Sequence, residues 1–321
     1  MIKLKDIANH LGISVSAASM ALRDHEAISP ETRQRVQDAS ERLGYRRKQK
    51  KTTGNIAFIL CDRHFDNGNS YWGLQGIFEA AQENHLQPIN FSISLKDLHN
   101  GSFPLLLKNE IDGIIIAGLY DEKAHTQLKR LKIPIVVLGN YQLGNEPWSS
   151  CEIDIPQGMR MMVGHLVSLG HRRLGLLLGD DPETFYRKRL QQSFMEATSE
   201  LGISKAEITF ENKSNPDLIS NTLKGEDRPT AFIAEGSTVP IYTACHSLGL
   251  KIPQDISVIT LGSSDQMIPP LAMLQCDSRE IGRGAVEKLI RMIKNPRAVL
   301  TRELYPIYLT PASSIGPAPK P

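Results

Sequence analysis

This sequence is short of the features that usually announce chemistry. Its four cysteines, Cys61, Cys151, Cys245 and Cys276, are far apart and form no CxxC pair, so the thiolate metal and redox motifs lack a foothold. Cys61, Cys151 and Cys276 border or lie within apolar runs and read as buried free thiols of a reducing cytosol. No run of about 18 apolar residues occurs, so no membrane span is expected. The opening MIKLKDIANHLG is charged and amphipathic, without the apolar core of a secretory leader, and a soluble cytoplasmic protein is expected. There is no GxSxG elbow, Walker loop or HExxH, and no GxGxxG follows a strand. The nine histidines show no metal-ligand spacing. The carboxylates of GDDPE (179–183) read as a polar loop at a strand end. No catalytic residue, metal or cofactor is expected.

What is present is an uneven charge. The net formal charge is only +2, but residues 1–54 hold eleven Lys and Arg against six Asp and Glu. The remainder is slightly acidic. Positive charge gathered at one end suggests a polyanion partner there. With 321 residues and 40% hydrophobic content, the chain can bury a core and divide into two or three domains.

The basic end has a helical rhythm. Leu4, Ile7, Ala8 and Leu11 recur at helical spacing, and Gly12 permits the positive φ of a tight turn. Ser14 then sits as an N-cap for a second helix from about Val15 to Leu22, with Ala18, Ala21 and Leu22 facing inward. Ser29-Pro30-Glu31 opens a third helix with a cap, a proline at the first helical position and an acid near the positive dipole end. Val36, Ala39 and Leu43 form its apolar stripe. Two short helices joined by a glycine turn and supported by a third make the helix-turn-helix plan. A plain three-helix bundle that binds nothing has the same outline.

KLKDIANHLGISVSAASMAL, followed by ISPETRQRVQDASERLGYR, resembles the headpiece of the LacI/GalR family of bacterial transcriptional regulators. The resemblance implies double-stranded operator DNA as the partner. It places Val15 and Ser16 at the positions that choose the half-site, with Ala17 at the next groove-facing one. It gives Ser14 and Ser19 a phosphate contact or a cap, and adds Arg23, Ser29 and Tyr45 to the DNA-facing set. Two residues depart from the pattern. Met20 stands where an arginine is usual and offers only apolar contact, without the bidentate pairing to guanine. Lys3 stands where a capping threonine is usual, losing a cap and adding a phosphate-seeking charge.

The connection after Tyr45 departs further. Relatives usually have a longer one, with a short hinge helix that wedges a leucine into the minor groove. Residues 46–55, RRKQKKTTGN, contain no apolar side chain and cannot supply a wedge. Arg46, Arg47, Lys48, Lys50 and Lys51 can instead follow the phosphate backbone or enter a narrow minor groove. The same charges would also suit a merely solvated linker. The expected division is a headpiece over 1–46, a short basic linker over 47–54 and a core over 55–321.

From residue 55 apolar runs alternate with amphipathic segments. Strands are expected at 55–61, 87–94, 112–118, 134–139, 172–179, 206–210, 230–236 and 257–262. Helices are expected at 72–86, 122–131, 156–169, 185–201, 237–249 and 278–294. Runs without polar alternation suit strands buried on both faces. The fold class is therefore an all-α headpiece followed by α/β, as two doubly wound parallel-sheet lobes. CEIDIPQGMRMMVGHLVSLGHRRLGLLLGD and LGLKIPQDISVITLGSSD resemble the family's core, which has the periplasmic-binding-protein plan. The resemblance places crossings near 150, 276 and 300, with a proximal lobe of about 54–150 plus 277–300 and a distal lobe of about 151–276 plus 301–321.

In that plan a small effector lies between the lobes at strand carboxyl ends. The matching positions here are altered. Glu235-Gly236 replaces an Asn-Asp pair, and Ser263-Ser264-Asp265 replaces a pair of aspartates. The basic loop corresponds to Arg187, Lys188 and Arg189, and the aromatic wall to Tyr71 and Trp72. One reading is a different, anionic ligand held by Arg187, Arg189, Trp72, Glu235 and Asp265. The other is a closed cleft, with regulation from elsewhere. A homodimer is expected, since TPASSIGPAPKP carries no leucine heptad for a tetramer. The function that follows is sequence-specific regulation, as a repressor on a pseudo-palindrome. The rivals are a regulator with degenerate DNA reading and no effector, and a small-ligand-binding protein with no DNA role.

Overall fold

The computed structural model describes the chain except at residues 1, 23, 24, 26, 44–51, 62–67, 104, 105, 107, 119, 120, 141, 142, 146, 180–184, 204, 211–216, 262–270 and 321. It divides into two compact units, Met1–Thr53 and Gly54–Pro321.

The first unit holds three helices: α1 (Leu4–Leu11), α2 (Val15–Ala21) and α3 (Pro30–Arg42). Gly12 closes α1 in the left-handed region at φ 65°, where glycine carries no Cβ penalty. Ser14 Oγ accepts the Ala17 N–H at 3.0 Å and caps α2. Ser29 Oγ accepts the Thr32 N–H at 3.2 Å and caps α3. Ile7, Ala21, Val36 and Ala39 form the centre of a small core, rimmed by Leu4, Leu11, Ile13, Leu22, Ile28 and Leu43. Alanine at 18 and 21, both fully buried, leaves no bulk to hold the helices apart.

The second unit contains two six-stranded sheets. In the first, β1 (Asn55–Cys61), β2 (Gln87–Ile93), β3 (Gly113–Gly118), β4 (Ile135–Leu138), β5 (Ser149–Ile153) and β11 (Arg302–Tyr305) lie in the order β11-β5-β4-β3-β1-β2. Helices α4 (Gly68–Glu83), α5 (Leu95–Asn100), α6 (Glu122–Lys129) and α11 (Ser278–Lys294) complete this lobe. In the second, β6 (Arg173–Leu178), β7 (Lys205–Phe210), β8 (Ala231–Glu235), β9 (Ser257–Leu261), β10 (Ala272–Cys276) and β12 (Ile307–Thr310) lie in the order β12-β10-β9-β8-β6-β7. Its helices are α7 (Ile155–Ser168), α8 (Phe185–Glu200), α9 (Leu218–Lys224) and α10 (Val239–Ser247). The two lobes repeat one winding, the doubly wound order with its switch point between the first and third strands.

Two expectations need correction. The second sheet is not wholly parallel, because β12 pairs antiparallel with β10. The outer crossings also move. Strand β11 runs parallel to β5, from Arg302 opposite Ser150 to Tyr305 opposite Ile153. The first lobe therefore keeps 151–153 and 301–305, and the chain crosses at 154, 277 and 306. The cause is a carboxylate. Glu152 is 1% exposed and takes Arg302 in two bonds, Nε to Oε1 at 2.8 Å and Nη2 to Oε2 at 2.7 Å. A buried charge needs such a partner, and the partner brings β11 with it. Two crossings share one device: Asp154 and Asp277 cap α7 and α11 with nearly equal φ and ψ, −81°, 83° and −78°, 85°.

Burial of the thiols also differs in detail from expectation: Cys61, Cys151 and Cys245 are buried, and Cys276 is half-buried. No helix among the described residues is long and apolar enough to cross a membrane.

Helices α4 and α11 meet backbone to backbone. A Cβ on Gly76 would lie 1.9 Å from Arg279 O, and one on Gly282 would lie 2.1 Å from Gly73 O. Outside this seam, Arg279 pairs with Glu79 and Arg283 with Glu83, each at 2.7 Å. In the other lobe the carboxy-terminal segment is tied across the sheet. Ser314 Oγ donates to Val258 O at 2.7 Å and accepts from Ala272 N–H at 2.8 Å. Fully buried His171 lies 2.9 Å from Thr230 Oγ1 through Nδ1 and 3.1 Å from Gly316 O through Nε2. A carbonyl can only accept, so the ring is the Nε2–H tautomer and accepts from Thr230.

Two predictions follow from these contacts. Gly282→Ala and Gly76→Ala must force the helices apart and each should cost about 3 kcal/mol in urea unfolding. Gly225→Ala, which meets open space, should change stability by less than about 0.5 kcal/mol. Burial holds the His171 pKa below its ordinary 6.5. The unfolded chain therefore takes the proton first, so the His171 contribution is complete above pH 6.5 and is lost as pH falls from there through the lower folded-state value. Unfolding free energy between pH 7.5 and 5.5 should fall more steeply for wild type than for His171→Gln; equal slopes would refute this.

Candidate DNA interface and strand-end site

The first unit builds one candidate site. With Ala18 and Ala21 buried, helical spacing turns Ser16, Ser19 and Met20 to the opposite side of α2. Val15, at its first position, is 44% exposed. Ser16 is exposed, while Ala17, Ser19 and Met20 are half-buried. The outer face of α2 is thus short side chains and one thioether, able to enter a groove closely but poor in strong donors. Lys3 is exposed. Its ammonium has no acceptor to cap a helix, and its backbone N–H is taken instead by Asp6 Oδ2 at 2.7 Å. Ser29 lies at the start of α3 with its hydroxyl engaged by Thr32. Arg33, in the same turn, donates from Nε to Ile28 O at 2.9 Å and so secures the α2–α3 connection. Of the expected DNA-facing residues, Arg23, Tyr45, Arg46, Arg47, Lys48, Lys50 and Lys51 lie outside the described residues.

The second candidate lies at the switch point of the second sheet, where β6 and β8 are neighbours. Glu235 ends β8. Its Oε2 accepts Arg187 Nε at 2.7 Å and the Gly179 N–H, just past β6, at 3.2 Å. Both side chains of the ion pair are largely buried, at 13% and 14% exposure. Gly179 leaves room for the guanidinium: a Cβ here would lie 2.3 Å from Arg187 Nη2, and the arginine end would have to shift. The expected ligand groups Arg187 and Glu235 are therefore partners of each other. Arg189 does not join them: its Nη1 lies 3.4 Å from Gln192 Oε1 on its own helix, as expected two residues, or about 200°, further round α8. Tyr71 and Trp72 fall on α4, but their side chains lie outside the described residues, as do Ser264 and Asp265. Sequence reasoning missed Gly179. A glycine directly after a buried strand was the available signal.

Two family models match the chain. Bacterial regulatory proteins, lacI family, matches residues 3–48, and the periplasmic binding protein-like domain matches residues 163–315. The HTH-type transcriptional regulator GalR of Streptococcus thermophilus is 25% identical, covering 94% of this chain and 96% of its own. The HTH-type transcriptional repressor MelR of Bacillus subtilis is 25% identical over 98% of both chains. Among solved structures, a lac repressor dimer bound to operator and the anti-inducer ONPF superposes with TM-score 0.69 at 21% identity, over 98% of both chains. A complex of the transcriptional regulator CelR with cellobiose gives TM-score 0.71 at 19% identity, over 98% of this chain and 100% of that one. These structural likenesses concern the fold.

The ion pair carries a prediction of its own. Glu235→Ala strands the Arg187 guanidinium in a site with little water and should cost about 3 kcal/mol in chemical unfolding. Arg189→Ala should cost less than about 0.5 kcal/mol. Equal effects would mean that the pair is not held as described.

Proposed function

We propose that this chain, which resembles the lacI family of bacterial regulatory proteins in its first helices and in overall likeness to named regulators, is a cytoplasmic, non-enzymatic repressor that occupies a pseudo-palindromic operator as a homodimer. The observation that carries this reading is the capped, small-residue helix α2 within a compact basic trihelical unit. Val15 and Ser16 read base edges, and Ala17 lets the backbone approach. Ser14, Ser19 and Ser29 serve as caps or phosphate contacts. Met20 adds apolar contact, for example to a thymine methyl. None of these makes the bidentate pair that gives the largest base discrimination. Affinity therefore comes mainly from Lys3, Arg23, Arg46, Arg47, Lys48, Lys50 and Lys51, with Tyr45 beside them, through release of counterions. A dimer doubles each contact and matches its two-fold axis to that of the site.

The Arg187–Glu235 pair bears on the effector. Arg187 is already neutralised by Glu235, so the switch point suits a neutral ligand with both donors and acceptors, such as a polyol or an amide-bearing ring. This modifies the anionic ligand expected of Arg187, Arg189, Trp72, Glu235 and Asp265. Such a ligand would insert between partners and shift the balance of lobe orientations by its differential affinity.

The test is selection of duplexes by the purified full-length protein, followed by titration at several salt concentrations. A palindromic consensus is expected, with log K falling by about 6 or more per tenfold rise in salt for the dimer. Exchanging Val15 and Ser16 should change the selected half-site. Failure to bind any duplex at 50 mM salt would reject the reading.

A further inference from the structure

At the amino ends of its strands, the first sheet turns the chain from helix into strand. Three residues there, other than glycine, hold a left-handed backbone: His85 before β2, Glu110 before β3 and Lys132 before β4, at φ 55°, 48° and 53°. In the second sheet the left-handed turns that lead from helices toward strands use Gly170, Gly202 and Gly249. The first lobe therefore keeps side chains at this end, at a conformational cost that glycine avoids.

The exposed charges at that end are mostly positive. Lys129 ends α6, with Arg130 and Lys132 between it and β4; Lys294 ends α11, with Arg297 between it and β11; Lys108 lies shortly before β3; all six are exposed. Residues 129–134 and 294–301 contain no carboxylate. The described acids there are Glu110, which is exposed, Glu83 and Glu303, which are paired with Arg283 and with Lys288, and Asp112, whose Oδ2 accepts the Gly54 N–H at 2.8 Å. Lysine and arginine at a helix carboxyl end also complement its dipole, which accounts for Lys129, Arg130 and Lys294. It does not account for Lys132 or Arg297, which stand beyond the helices.

The chain enters the lobe at this same end. Besides the Gly54 bond, Asn55 Nδ2 donates to Asn109 O at 2.9 Å, and the Asp112 N–H donates to Asn55 O at 2.8 Å. Leu43 and Gly54 are eleven residues apart, a separation that extended chain spans in at most about 40 Å. A duplex presents about two dozen phosphates over such a length.

We propose that the strand-amino end of the first α/β lobe is a second, sequence-independent DNA contact, taking phosphates of the duplex that the headpiece holds. The inference rests on the DNA-binding reading above. It gives that reading a source of affinity in place of the absent apolar wedge.

Two variants of the full-length protein test it: Lys129→Gln/Arg130→Gln/Lys132→Gln and Lys294→Gln/Arg297→Gln. Each is titrated by fluorescence anisotropy, from 50 to 300 mM salt, on the selected operator and on a random duplex. Unfolding midpoint and dimer mass are checked alongside. The expected result is an unchanged midpoint and mass, and a salt slope shallower by about 2 or more per dimer in at least the triple variant, since each lost phosphate contact removes about 0.9. Binding at 100 mM salt should weaken about tenfold or more on both duplexes. An unchanged slope in both variants would overturn the proposal and leave the patch to an acidic protein partner or to solvent. A loss confined to the operator would overturn its sequence independence. If wild type binds neither duplex, the DNA-binding reading itself fails and takes this one with it; a binding wild type with unaltered variants sinks only the present proposal.

Discussion

A single carboxylate decides how the two lobes are joined. Glu152 lies inside the first sheet at 1% exposure, where a lone charge would be prohibitive. Arg302 answers it in a fork and stacks over Trp148 at 5.1 Å, while Ser150 donates to the same carboxylate. The next turn of charge reinforces the arrangement. Lys288, 3% exposed, reaches Glu303 at 3.2 Å and Thr301 O at 3.0 Å. A strand that propensity alone would not choose, RELY, is thus held on the sheet edge. The chain must then pass from one lobe to the other three times, at 154, 277 and 306. Two of those passages pivot on capped aspartates of one geometry. Bending at these points preserves both cores, which is the condition for a hinge rather than for partial unfolding.

At the strand-end site the charged groups satisfy one another. Glu235 can gain its hydrogen bonds from within the protein, from Arg187 and the Gly179 amide. The site is therefore satisfied as it stands. A ligand must compete with an intramolecular ion pair, so its net affinity is the difference between what it gains and what the pair gives up. That condition favours ligands that bridge the pair over ligands that break it, and it sets a higher threshold for weak or monofunctional effectors. Gly179 lets the guanidinium lie close against the backbone.

Much of this architecture was legible in the residues, for identifiable reasons. Runs such as NIAFILC and RRLGLLLG announce strands buried on both faces, and those strands lie within a residue or so of the positions read from them. The caps of α2 and α3 were equally plain, because Ser14 and Ser29 act within three residues of themselves. The strands that were missed, 149–153, 272–276, 302–305 and 307–310, are short, and all but the last hold serine, glutamate, arginine or glutamine. Their stability comes from partners more than a hundred residues away or from a neighbouring edge, and no local pattern encodes that. The candidate effector residues divide in the same way. Residue types and rough places could be inferred from the family resemblance, but the pairing of Arg187 with Glu235, and the separate direction of Arg189, depend on which strands become neighbours.

The two lobes share one winding and differ in how they use its ends. In the second lobe, left-handed turns are glycine and the carboxy-terminal segment is sewn across the sheet by His171 and Ser314. Those choices minimise conformational cost and satisfy buried groups internally. In the first lobe, the left-handed turns just before β2, β3 and β4 carry His85, Glu110 and Lys132, although glycine holds others such as Gly54 and Gly101, and the surrounding loops hold lysine and arginine in excess. A protein selected only for stability would favour glycine at all of these positions. The asymmetry is intelligible if the first lobe has an external polyanion to meet and the second has not. The composition of the headpiece points the same way. If α2 reads the groove as proposed, it does so nearly devoid of strong donors, and energy for holding DNA would come from charge distributed elsewhere along the chain. Charge spread over loops and tether binds through many weak, salt-screened contacts. Small side chains on one helix then need only bias the register at which those contacts are made.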